Sequence, residues 1–313
     1  MKNFGLFVLL ALVVAVTAEL HDNTPLGRLS RRHHNVNRRR STPAQRCAKR
    51  NAKASSSSVA VNEALVKTSA APPPPPAKTS EAPKPSAPPS VKGLINVKSN
   101  CGAIGATKDV TQYSGPNGNI DWLNCGLNDG GWQPPYIRVE DVITMDLGEA
   151  VKDPNSAFSA CSDYISTFEK YAWQFGVPPI MIASFAMQES GCNPATVGGA
   201  GEQGLMQLTW DKCLAAPGGN CKDVDYNIKT GAKFFADSLN GNGGDLLKTI
   251  AGYNGWSVSM TFDQATAAGN TGCCRCQNNL DYLHQFLNGW CQNVNAYTHN
   301  PPLGKYFNLA KCH

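Results

Sequence analysis

Beyond residue 16 the chain has no apolar run near the roughly 20 residues that a membrane-spanning helix needs, so no membrane span is expected and the mature protein should be soluble. There is no Asn-x-Ser/Thr acceptor with a permitted middle residue, and no internal repeat is apparent. A second CxxC or spaced histidine pair is also missing. Without one, Cys273, Cys274 and Cys276, with His284 nearby, do not complete a zinc set, so no metal is expected and adjacent half-cystines are the preferred alternative. Acidic side chains are scarce at the front: residues 1–92 hold 15 Lys and Arg but 4 Asp and Glu, while residues 93–313 hold 13 and 19. The first part therefore carries +11 and the second −6. An acidic folded domain offers little to phosphate, which argues against nucleic acid as a partner.

The front of the chain divides by composition. Met1-Lys2, an apolar run from Phe4 to Val16, and small residues at Val16 and Ala18 read as a secretory signal peptide over residues 1–18. A membrane anchor is the weaker alternative, because the run is short. Residues 19–50 form a basic arm with Arg31-Arg32, Arg38-Arg39-Arg40 and Lys49-Arg50. The dibasic pairs favour a propeptide cut after Arg40 or Arg50 over a retained wall- or membrane-binding arm. Residues 51–92 are rich in Ser, Ala, Lys and Pro, with five prolines from Pro72 to Pro76. Such a stretch has too few apolar side chains for a core and reads as an extended linker. One folded domain, residues 93–313, remains.

Twelve cysteines behind a signal peptide imply an oxidising, extracellular compartment and a disulfide framework. Eleven lie beyond residue 100 and Cys47 stands alone upstream. Either Cys47 ties the arm to the domain, or one domain thiol is free, or Cys47 leaves with the propeptide.

Helical periodicity is plain in the second half of the domain. Phe158, Cys161, Ile165, Phe168, Ala172 and Phe175 recur at spacings of three and four between Asn155, a candidate cap, and Gly176. Ile228, Ala232, Phe235 and Leu239 form a similar stripe before Gly241. A third stripe, Leu280, Leu283, Leu287 and Trp290, follows the candidate cap Asn279, and a shorter helix is expected over Asp245–Ala251. Between Cys101 and Asp153, turn signals around short runs suggest loops and two short strands. The Gly-rich segment 193–203 is too flexible for a helix.

One helix differs from these. From Ile180 to Met187 it is almost wholly apolar, with Pro178-Pro179 where it would start and Gly191 where it would stop. Apolar on every side, it reads as a core helix, and Glu189 sits at its end. Burial and the negative pole of the helix dipole both disfavour charge there. A glutamic acid that keeps its proton near neutral pH can protonate a leaving oxygen. Gln188 should point about 100° away round the helix.

Glu189-Ser190-Gly191-Cys192-Asn193-Pro194, then Gly204-Leu205-Met206-Gln207, then Ala251-Gly252-Tyr253-Asn254-Gly255 resemble the lytic transglycosylase (SLT) family, related to goose-type lysozyme. The resemblance covers roughly residues 155–260; Asn227, Ile228 and Gly231 also look like family positions. It implies a mainly α, α+β lysozyme-like fold: a helical domain around a central buried helix, with a small hairpin or loop lobe and disulfide staples. It also implies a muramidase or lytic transglycosylase, without cofactor, acting on peptidoglycan glycan strands, with chitin or chitosan as alternative substrates. A non-catalytic glycan-binding effector is the reading from another class. The chain is expected to act as a monomer.

By the same resemblance, Glu189 is the catalytic acid and base. Tyr253 hydrogen-bonds and orients it, Ser190 and Met206 support it, and Gln207 and Asn254 contact the glycan. The sequence departs from the family at two places. Glu202 stands where the family has a small residue, thirteen positions after Glu189. There it is either a second carboxylate that activates water or, as the favoured reading, a solvated loop charge; Asp211 is a poorer candidate. Gly255-Trp256-Ser257 replaces the usual extension after Tyr-Asn, and Trp256 either stacks on a sugar ring or packs in the core.

Overall fold

The computed structural model describes residues 93–199 and 201–312. The signal peptide, basic arm, linker and Cys47 lie outside the described residues. The domain is helical, and among the described residues β pairing is confined to isolated bridges in one small hairpin. No described helix is long and apolar enough to cross a membrane.

The segment 101–153 holds short helical turns where two strands were expected. Helix α1 (Ile120–Leu123) is capped by Asn119, whose side chain accepts from the Trp122 N–H, and α2 (Leu147–Ala150) is capped by Asp146. The neighbours Trp122 and Leu123 are both buried. A half-buried strand would alternate, whereas consecutive buried residues suit a helical turn against a core.

The expected 155–176 helix is split. Ser159–Tyr164 forms a 3₁₀ turn, followed by α3 (Ile165–Phe175), which ends at Gly176 with φ +70°. Asn155 is not the cap. The Ser156 and Ser159 side chains instead bond to nearby backbone, which competes with a regular helical start.

Helix α4 (Pro179–Ser190) starts on the proline pair, stops at Gly191 with φ +61°, and buries every one of its residues. It is the central helix. Phe185 at its middle lies 4.3 Å from the Tyr253 ring, 4.6 Å from Phe286 and 5.1 Å from Phe235. Those partners come from three directions: α6 (Val224–Gly241), α7 (Leu246–Tyr253), and the segment 282–292. The small α5 (Trp210–Cys213) lies between the hairpin and α6. Asp223 and Asp245 cap α6 and α7, so α7 runs two residues past the expected end.

The third stripe is also broken up. After α8 (Phe262–Thr266) come the short α9 (Tyr282–His284), a π turn at Gln285–Gly289 and a 3₁₀ turn at Trp290–Gln292. Every residue from Leu280 to Cys291 is buried, so this segment has no solvent face to keep a regular amphipathic period. Asn288 in the π turn bonds to Asn117, Gly118 and His284, and polar side-chain bonding of this kind accompanies the shifted ladder.

Five disulfides staple the domain: Cys101–Cys125, Cys161–Cys192, Cys213–Cys221, Cys273–Cys276 and Cys274–Cys312. The sulfurs of the Cys273-Cys274-Arg275-Cys276 group are thus all paired. Cys291 is the free thiol among the described residues, buried 3.6 Å from Ser184 Oγ and with its pKa pushed up to about 12 by burial. Of these links, Cys161–Cys192 fastens the chain just past α4 to the turn before α3 across 31 residues. Replacing both cysteines by alanine should cost about 3–4 kcal/mol of stability on the chain-entropy argument. Denaturant unfolding under oxidising conditions measures this, and a loss below about 1 kcal/mol would show that packing alone fixes the end of α4.

Candidate active site

Glu189 occupies the last turn of α4 and is 1 % exposed. Burial pushes its pKa up from 4.5 to about 8; a hydrogen bond from Tyr282 opposes the shift, and the nearby charge of Glu202 adds to it. The carboxyl stands at the helix end, two residues before the chain turns at Gly191. The carboxyl is therefore neutral at neutral pH while remaining close to surface loops.

The neighbouring loop is locked to this helix. Ser190 Oγ donates 2.8 Å to the Leu205 carbonyl, which binds the helix end to the Gly204–Gln207 turn. Gln203 and Leu208 exchange backbone hydrogen bonds of 2.9 and 3.0 Å across that turn, and Gln203 also bridges to Val197, which builds the expected hairpin lobe. From beneath, Asn227 on α6 braces the turn. Its Oδ1 accepts from the Met206 N–H at 2.8 Å and its Nδ2 donates to the carbonyls of Gln203 and Cys221 at 2.9 and 2.8 Å.

Two glycines let the turn sit so low. Gly204 has φ +75°, and a Cβ on it would meet Asn227 Nδ2 at 2.5 Å. A Cβ on Gly231, also on α6, would lie 2.7 Å from Met206 Cβ. Gln207 itself is held at φ +46°, an uncommon conformation for a side chain of its kind and one that clusters at functional sites.

The residues expected around Glu189 take distinct places. Tyr253 donates 2.9 Å to the Met206 carbonyl and lies near enough for the Glu189 charge to add to the burial effect that raises its pKa. The hydroxyl that bonds Glu189 Oε1 at 3.0 Å belongs to Tyr282, which sequence reasoning missed. Tyr297 also senses the Glu189 charge, so phenols from three separate segments surround the acid. Gln188 faces away from the site, as the helical rotation requires: Trp290 Nε1 donates to its Oε1.

Gln207 shares a crevice with Thr209, Lys212, Phe234 and Tyr253. Its amide donates to the carbonyls of Gly204 and Thr196, while its buried Oε1 has no protein partner. Asn254 Oδ1 accepts from the Asn279 N–H at 2.8 Å, and its buried Nδ2 lacks a partner. A buried unsatisfied acceptor and a buried unsatisfied donor are costly unless something uses them.

Two expectations change. Glu202 is 3 % exposed, so it is not a solvated loop charge. Trp256 is 5 % exposed and packs edge-on against Trp132 with ring centroids 5.1 Å apart, so it is a core residue with no open face for a sugar. Asp211 is engaged by the Thr209 hydroxyl and by Lys212, 3.4 Å away.

Two outcomes follow from this arrangement. Gly231→Ala should destabilise by about 1–3 kcal/mol through overpacking against Met206, although alanine is the better helix former; thermal melting measures it, and a stabilised variant would refute the close approach. The second concerns pH. Because Glu189 titrates near 4.5 unfolded and about 8 folded, the folded state holds an extra proton between those values, and stability falls as pH rises through that window. Glu202, Tyr253, Tyr282 and Tyr297 are the titratable groups that face it. His284, lowered by burial to about 4, acts in the opposite sense between 4 and 6.5 and cancels in a comparison with Glu189→Gln. At about 1.4 kcal/mol per pKa unit, the variant should gain several kcal/mol relative to wild type between pH 4.5 and 8, as read from unfolding curves at each pH. Parallel pH profiles would contradict the raised pKa.

Residues 166–268 match the family model of the transglycosylase SLT domain. Among solved structures, the chain is similar to an inactive mutant of the lytic transglycosylase Slt from Pseudomonas aeruginosa, with 20 % identity over 41 % of this chain and 22 % of that one, TM-score 0.28. The 70 kDa soluble lytic transglycosylase from Escherichia coli gives 21 % identity over 42 % and 22 %, TM-score 0.29. A 70-kDa soluble lytic transglycosylase in complex with bulgecin A gives 19 % over 42 % and 25 %, TM-score 0.29. The chain thus spans no more than 25 % of the length of these proteins. The residues that match the transglycosylase SLT domain model take in Glu189, the Gly204–Gln207 turn and Tyr253.

Proposed function

We propose that this protein is a secreted enzyme that cleaves the β-1,4 bond between N-acetylmuramic acid and N-acetylglucosamine of bacterial peptidoglycan, with Glu189 as the general acid. The observation that carries this reading is the buried carboxyl at the end of α4, protonated up to about pH 8 and set beside the Gly204–Gln207 turn. Secretion rests on the character of residues 1–18.

Cleavage needs a proton on the departing oxygen and stabilisation of the cationic anomeric carbon. Glu189 supplies the proton. As it becomes a carboxylate, the Tyr282 hydroxyl bond strengthens, because a hydrogen bond to a charged acceptor is the stronger kind. The negative charge so formed faces the positive charge growing on the sugar. The free acceptor Gln207 Oε1 and free donor Asn254 Nδ2 suit the N–H and C=O of acetamido groups, which both sugars of the substrate carry.

Glu189→Gln should retain the fold and lose at least 10²–10⁴-fold in rate, the usual contribution of a positioned acid. The assay is release of soluble muropeptides from purified peptidoglycan, identified by mass spectrometry, with chitin run alongside. In wild type the rate should hold below about pH 8 and decline above it, since the acid must be protonated. A folded Glu189→Gln with normal lysis would remove the central assignment.

A further inference from the structure

The hydroxyl that meets Glu189 comes from Tyr282, which lies outside the residues that match the SLT domain model, 166–268. Two residues further on, a buried polar network fixes the turn that carries it. His284 and Asn288 stand one helical turn apart and both are fully buried. Asn288 Oδ1 accepts from the Asn117 N–H at 2.8 Å, and its Nδ2 donates to the Gly118 carbonyl at 2.9 Å. Those two bonds decide which end of the amide is oxygen and which is nitrogen. The second hydrogen of Nδ2 is then left for His284 Nδ1, 3.0 Å away, which must be a bare acceptor. The one ring proton therefore sits on Nε2, where the carbonyls of Gln112 and Thr111 stand at 3.0 and 3.3 Å. Neutral His284 is satisfied at both nitrogens. A proton added at Nδ1 would set two donors against each other in a buried place, each without its acceptor.

The bonds converge on one stretch of chain. Thr111, Gln112, Asn117 and Gly118 all precede α1, so the network fastens α9 (Tyr282–His284) to a segment that is also outside the SLT match. Asn117 Nδ2 adds a 2.8 Å bond to the Leu287 carbonyl of the π turn. On the other side of Tyr282, the Asp281 carboxylate accepts from the N–H groups of Lys305, Tyr306 and Phe307 at 2.7, 3.0 and 2.7 Å.

We propose that His284 is a positioning residue for the acid: as the neutral Nε2–H tautomer it locks the turn that carries Tyr282 against the 111–118 segment, and protonation at Nδ1 releases that turn and breaks the Tyr282 bond to Glu189. The effect on catalysis rests on the glycosidase reading above; the tautomer and the release do not. The proton comes from solvent, and no covalent bond between heavy atoms changes. Burial lowers the pKa of His284 from 6.5 to about 4, in the same sense as the bonding. Between those values the unfolded chain binds a proton that the folded one refuses. The network's contribution is thus complete above pH 6.5 and is lost as pH falls toward 4. Among the surrounding groups, His299 opposes a second positive charge, Asp281 is held by the N–H groups above, and Asp121 on the adjacent α1 is paired with Lys305. Glu189 and Tyr253 act on Tyr282, and Tyr113 on the 111–118 segment is exposed.

The test uses the full chain, labelled with ¹⁵N-histidine and with ¹³C at tyrosine Cζ, and read by NMR from pH 7 downward. The Tyr282 signal is the one missing from Tyr282→Phe. At pH 7 His284 should show a bare Nδ1 and a protonated Nε2. On acidification the Tyr282 signal should move with the His284 step, while that of Tyr226, which donates to the Lys212 carbonyl on the far side of the hairpin, keeps its place. Asn288→Asp puts an acceptor where Nδ1 now meets a donor. It should raise the pH of the step by at least about one unit and lower lysis of purified peptidoglycan at pH 5, relative to pH 7, at least about tenfold beyond wild type. His284→Gln keeps a donor toward Gln112 but cannot titrate, so the step should vanish from the Tyr282 signal and from the pH–rate profile. Its loss of activity at pH 7 should fall on kcat more than on KM, as expected when the acid is misplaced and the glycan still binds. A protonated Nδ1 at pH 7, a Tyr282 signal indifferent to the His284 step, or all tyrosines moving together as the domain unfolds would overturn the positioning role. Absence of soluble product from peptidoglycan and from chitin oligosaccharides at every pH would overturn the glycosidase reading instead, and the NMR outcomes would still decide the part played by His284.

Discussion

The desolvation of one carboxyl group governs the architecture of the site. Glu189 is surrounded by protein because the helix it closes is apolar on every side, and such a helix has nowhere to go except the middle of the domain. The same feature that makes α4 the core makes its last turn a poor place for negative charge. Core formation and acid strength are thus one constraint. A more amphipathic α4 would tilt its polar face to water, hydrate the carboxyl and return it to an ordinary glutamate.

The hairpin lobe comes to the end of the helix that carries this buried acid. The Gly204–Gln207 turn descends onto α6 because Gly231 leaves room for Met206 and Asn227 supplies the hydrogen bonds that the turn's backbone would otherwise take from water. Tyr253 then closes over the Met206 carbonyl from α7. Each brace comes from a different helix. The position of the turn is therefore set by the packing of α4, α6 and α7 together and less by the loop's own preferences, which its glycines leave weak.

Much of this was legible in the sequence, and what was not has identifiable causes. The bounds of α4 followed from Pro178-Pro179 and Gly191, since proline and glycine act on the local backbone whatever surrounds them. The α6 stripe was readable for the same local reason. The 282–292 segment misled because its apolar spacing mimics one helix, whereas contacts such as Asn288 with Asn117, 171 residues away in sequence, decide its winding. Tyr282 was invisible for a related reason: no short motif announces a hydroxyl that reaches Glu189 across 93 residues. Glu202 was misjudged because a Gly-rich loop suggests solvent, while the clamp between Ser190 and Leu205 is a tertiary fact. The expected strands in 101–153 failed where turn signals alone had to stand in for a period.

Taken together, the site holds several features that oppose folding: a carboxyl stripped of water, a second one close by, two unsatisfied amide atoms and a non-glycine residue at φ +46°. A single domain has a limited core with which to offset them. The disulfides lie where that compensation is most useful. Cys161–Cys192 secures the chain directly after Glu189, and Cys213–Cys221 secures the link between the hairpin and α6. Cys274–Cys312 holds the closing segment against the stretch that carries Tyr282. Three of the five links therefore border the segments that meet at the acid. By limiting the unfolded ensemble, they stabilise the fold without needing to relieve the strain inside the site. With the cross-links outside it, the polar interior keeps its protonated acid and its two unpartnered amide atoms.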